Sequence, residues 1–151
     1  MKSSLSIWLA ISLTTSASAQ TFELISRSDY FESEAQENRY PSFSPKSTSD
    51  PTGPVIEVRS PSLMESVKAP VFIDLRFRTS GTAQINWDSL KILYGWYRKD
   101  ITEEVKKRAK MIHDGIQIDS ANLPSGNHKL LIQVANTEGK QAEREVRFTV
   151  E

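Results

Sequence analysis

The sequence predicts a mainly β protein, two layers of antiparallel strands with one short α-helix inserted at about residues 100–110. Three observations predict it. The run "VFIDLRFR" at 71–78 alternates apolar and charged residues, the period of a half-buried strand. The closing stretch "GNHKLLIQVANTEGKQAEREVRFTV" holds two alternating runs of matched length around a turn. Only "DITEEVKKRAK" changes period, placing Ile101, Val105, Ala109 and Ile112 on one narrow apolar stripe of a charged helix.

The start of the chain stands apart from this pattern. "MKSSLSIWLAISLTTSASAQ" has a basic start, a short apolar run and an A-x-A ending, which predicts a secretory signal peptide over residues 1–19, cleaved between Ala19 and Gln20. Its apolar run is shorter than the roughly 20 residues a spanning helix requires, so no membrane-spanning segment is expected after cleavage. There are no cysteines, which excludes disulfides, thiolate metal sites and cysteine lipidation. A bacterial periplasmic or secreted protein is the expectation.

Residues 20–53 are rich in Ser, Glu and Pro without a sustained period, and are expected to form a disordered linker or arm. Prolines 41, 45, 51 and 54 would repeatedly interrupt a helix or ladder. Tyr30, Phe31, Tyr40 and Phe43 punctuate the arm, either as a docking motif or as rings resting on the domain. The arm has six acidic and three basic residues, and residues 54–151 have thirteen and fifteen. Neither balance supplies the basic stripe that nucleic acid demands, so no nucleic-acid partner is expected.

Residues 54–151 are expected to be the folded domain. "VIEVRSP" is a strand ended by Pro61. In the next run Val71, Ile73, Leu75 and Phe77 point inward, Asp74, Arg76 and Arg78 point outward, and Phe72 covers a sheet edge. "SLKILYG" puts Leu90, Ile92 and Tyr94 on one face. Asp100 is the expected N-cap of the helix, with Glu103 closing a capping box. Acidic residues first and basic residues later suit the helix dipole. "GIQID" returns to period 2. In the last hairpin His128, Leu130, Ile132 and Val134 share a face with Val146, Phe148 and Val150, and Asn136 with Gly139 makes the turn.

"IEVRSPSLMESVKAPVFIDLRF" resembles the opening of bacterial immunoglobulin-like domains. "LPSGNHKLLIQVANTEGKQAEREVRFTV" is similar to the last two strands of that class and of fibronectin type III domains. The resemblance covers both ends of residues 54–151 and implies an immunoglobulin-like antiparallel sandwich. The sequence departs from the pattern at the inserted helix and lacks the cysteine pair of antibody domains. In such sandwiches a tyrosine near the position of His128 bonds back to the backbone, so the resemblance implies a structural corner role for His128.

Signals of chemistry are sparse. Two histidines, His113 and His128, have no metal-ligand spacing, and Asp88, Asp100, Asp114 and Asp119 form no calcium loop, so no metal and no cofactor are expected. There is no nucleophile elbow and no phosphate loop. The richest segment is "WDSLKILYGWYRKD". Trp87 and Tyr94 are expected in the core. Trp96 and Tyr97 either pack under the helix or, with Arg98 and Lys99, form a partner surface, since aromatic and Arg residues anchor interfaces. The expectation is a non-catalytic module that binds or positions an envelope protein. A carbohydrate-binding accessory domain using the same aromatics against an envelope glycan is the alternative. An uncharacterised hydrolase is the third reading.

Overall fold

The computed structural model describes residues 22–39 and 49–151. The expected signal peptide, its cleavage site, Tyr40 and Phe43 lie outside the described residues. In chain order the elements are β1 (Phe22–Glu23), α1 (Arg27–Arg39), β2 (Val55–Ser60), β3 (Val71–Arg78), β4 (Ile85–Tyr94), β5 (Lys99–Asp100), α2 (Thr102–Arg108), β6 (Lys110–Ile112), β7 (Gly115–Asn122), β8 (Gly126–Asn136) and β9 (Gln141–Val150).

The strands form the β-sandwich that the alternation requires. One sheet runs β1-β7-β3-β2, with β6 also paired to β7, and the other runs β5-β4-β8-β9. Every strand pair is antiparallel except β1 on β7. Inward residues of β3 and β7, among them Ile73, Leu75, Phe77, Ile116 and Ile118, meet Leu90, Ile92, Tyr94, Ile132, Val146 and Phe148 of the other layer. Each such burial stabilises by about 1.5–3 kcal/mol. The β8–β9 ladder keeps register from Gly126↔Val150 to Ala135↔Gln141. Slipping by one residue would turn its apolar set to solvent, so the pattern itself fixes the pairing.

Beyond Pro61 the chain leaves the first sheet, and Val67 joins the edge of β9 in parallel, its N–H donating to the Thr149 carbonyl at 2.9 Å. Asp74 stays charged in a buried position because it is paired. It accepts from Arg76 Nε at 2.7 Å and Gln117 Nε2 at 3.1 Å, and the Arg76 bond holds its carboxyl below the usual range.

Two expectations are corrected. Within the expected disordered arm, Arg27–Arg39 form α1 and Leu24, Ile25 and Tyr30 join the core. The folded unit therefore starts well before residue 54, and it carries two helices. The four prolines weighed against a helix all lie beyond its last residue, Arg39.

The start of the inserted helix also differs. Asp100 is held in the β4–β5 ladder opposite Leu93, one residue ahead of the cap position, which Ile101 takes without a side-chain cap bond. The Asp100 carboxylate still accepts from the Thr102 N–H at 2.9 Å. Glu103 does not reach back; it lies exposed, 3.7 Å from Lys106.

Candidate functional site

Of the residues that the sequence singled out, Trp96, Tyr97, Arg98, Lys99 and His128 gather at one end of the sandwich, where the β4–β5 turn and the start of β8 meet α1. Helix α1 begins with a local device. Ser26 accepts from the Asp29 N–H at 3.2 Å and donates to the Asp29 carboxylate at 2.7 Å, while its carbonyl takes the Tyr30 N–H at 3.0 Å. This is a capping arrangement, S-x-x-D, read directly from "SRSD". From there the helix places Asp29, Tyr30 and Ser33 on one face, three and four residues apart as helix geometry requires.

Each of these meets a prepared partner. The Ser33 hydroxyl accepts from the Trp96 N–H at 2.9 Å. Asp29 accepts from Lys99 Nζ at 2.7 Å and from the Tyr97 hydroxyl at 3.4 Å. The Lys99 bond holds the Asp29 carboxyl below the ordinary range against the opposing effect of burial, with Ser26 adding to it. Tyr30 is buried with its ring 5.3 Å from that of His128. Two glycines make the approach possible. A Cβ on Gly95 would run into the Ser33 side chain, and one on Gly126 would run into the Tyr30 ring and hydroxyl. Both glycines also have positive φ, 74° and 133°.

His128 lies beneath, only 2% exposed. Its Nε2 is 2.7 Å from the Pro124 carbonyl and its Nδ1 is 3.0 Å from the Tyr94 hydroxyl. A carbonyl only accepts, so Nε2 carries the proton and Nδ1 accepts from Tyr94. Burial pushes the His128 pKa down, opposed by the Pro124 bond, and burial pushes the Tyr94 hydroxyl up. A neutral imidazole with both nitrogens committed is a tie between the strand and its preceding turn. Phe148 stacks on it at 5.4 Å.

Above His128 opens a groove of about 520 Å³. Helix α1 lines one side with Glu34 and Glu37, the 61–66 loop lines another with Leu63, Met64 and Glu65, and Tyr94, His128 and Phe148 floor it. Met64 is 95% exposed at the rim. Lys129 and Arg147 also border the groove, and both are drawn to Glu145, at 3.4 and 2.7 Å.

The expected partner residues are thus found together, but not as a bare surface. Trp96 and Tyr97 are half-buried beside α1, Lys99 is tied to Asp29, and Arg98 is exposed with φ 57°. Trp87 sits at the core margin, edge-on to Phe77 at 5.4 Å. His113 is exposed, away from His128 in the fold. Sequence reasoning missed Ser26, Asp29 and Ser33; the capping spacing would have found the first two, whereas Ser33 is marked only by its distant partner Trp96. Among the described residues no group of three or more His, Cys, Asp or Glu is placed to hold a metal, and no helix is long and apolar enough to cross a membrane. Compared with protein-family models, curated proteins and solved structures, the chain has no match in any of the three.

Proposed function

We propose that the protein is an exported, non-catalytic module with an immunoglobulin-like sandwich that binds or positions a bacterial envelope partner through the end of the sandwich beside α1. The strand order supports the architecture. β2-β3-β7-β6 facing β4-β8-β9 matches the A-B-E-D against C-F-G order of such domains, with β5 and α2 standing in the connection between β4 and β6. The amino-terminal "MKSSLSIWLAISLTTSASAQ" supports export.

One observation carries the binding reading: exposed side chains stand beside a groove there. His128 and Tyr94 are engaged in structure, while Met64, Leu63 and Arg98 stand exposed at that end. Affinity capture from a bacterial envelope extract tests it, with wild type beside Trp96→Ala/Tyr97→Ala and Arg98→Glu, each first shown to be folded by circular dichroism. A partner recovered by wild type and lost by both variants is the expected result. Identical recovery by all three would remove this surface.

A further inference from the structure

We propose that the groove between α1 and the 61–66 loop docks an extended polypeptide segment bearing lysines next to apolar side chains. The inference rests on the binding-module reading and specifies the chemistry of the partner.

Charge sets the sign. Glu34, Glu37 and Glu65 border the groove, and none of the three has an ion-pair partner among the described residues. The two cations on the opposite border, Lys129 and Arg147, share the single carboxylate of Glu145, which leaves one positive charge to set against the three glutamates. The uncompensated charge of the groove is therefore negative. Beside the carboxylates stand the exposed apolar side chains of Leu63 and Met64 on the rim.

A lysine matches both features at once. Its methylene stem lies along apolar surface while its ammonium stays at a wet, acidic edge. The flexible thioether of Met64 suits a surface that must adjust to a peptide. A neighbouring apolar side chain of the same segment would lie against Leu63 and Met64, which a free polyamine cannot do.

The test uses the full chain and a fluorescein-labelled peptide, acetyl-GKLKLKG-amide, in an anisotropy titration at low salt. Binding is expected to weaken about tenfold in Glu34→Gln/Glu37→Gln/Glu65→Gln, the sum of three modest exposed charge contacts. A charge-matched control on the far side, Asp88→Asn/Glu103→Gln/Glu104→Gln, is expected to bind as wild type does. Met64→Ser is expected to weaken this peptide but not its Lys-Gly-Lys counterpart.

Equal weakening by both triple variants would reduce the effect to net charge and overturn the proposal. So would absence of peptide binding, full competition by spermidine, or a dimer in sedimentation that the groove variant dissolves. A partner captured from extract that is lost in Trp96→Ala/Tyr97→Ala, with no peptide binding, would sink the groove and leave the module reading standing.

Discussion

The two helices are both short and charged, and they are held to the same sandwich in opposite ways. Helix α2 presents Val105, with Ile101 just ahead of it, to the core, and its polar face is open to solvent. Helix α1 has only Tyr30 and Ser33 buried, and is fixed by hydrogen bonds and one ion pair to the 95–99 turn. The first is attached by area removed from water, the second by matched polar groups over two glycines. Area-held elements share the stability of the whole core, whereas elements held by a few polar contacts open locally at lower cost.

Breaking this contrast is most direct at Val105. Val105→Asp places a charge where an apolar stripe meets the core, and is expected to lower global stability by about 4 kcal/mol. A denaturant titration that showed the same midpoint as wild type would erase the distinction on the α2 side.

His128 lies where α1 and the sandwich meet. His128→Phe keeps the ring volume but leaves the Tyr94 hydroxyl and the Pro124 carbonyl without partners, at a cost of about 2 kcal/mol. The same residue sets a pH signature. Its pKa in the folded protein lies below the ordinary value of about 6.5, so the unfolded chain takes up a proton that the folded chain refuses. Its contribution is complete above about pH 6.5 and declines as the pH falls from there toward the folded value. Unfolding free energies between pH 7 and pH 5 are expected to slope downward in wild type and to flatten in His128→Phe.

Smaller effects confined to α1 sharpen the other side. Gly126→Ala puts a methyl group into the space of the Tyr30 ring. Faster hydrogen exchange throughout α1 is expected, with the β8–β9 ladder beyond its first pair, Gly126↔Val150, protected as before. Smallest is Ser26→Ala, which removes the cap of α1 for about 1 kcal/mol. It should speed exchange in the first turn of α1 and leave α2 untouched. A matched loss of protection in both helices would mean that they open as one unit.

The same contrast decides what the sequence disclosed. Strands β3, β4, β8 and β9 were legible because burial between two layers imposes alternation, and Val105 and Ile101 exposed α2 for the same reason. Helix α1 was illegible to a search for apolar periodicity, since a helix docked through Asp29 and Ser33 leaves no stripe. Asp100 was misplaced as a cap because it pairs with Leu93 across the 95–98 turn in a strand of only two residues, too short to show an alternation. The turn residues 96–99 were recognised as unusual, but the element that packs on them lies some seventy residues away, as the Lys99–Asp29 bond shows. The groove draws on five such separate segments, so no window of sequence holds it.

The edge of β9 is stapled at two places along its length: Asp50 N–H bonds to the Gln141 carbonyl near its start, and Val67 bonds to Thr149 and Glu151 near its end. These contacts occupy N–H and C=O groups on the outer edge of the last strand of its sheet, and so leave fewer of them to template a strand from another chain.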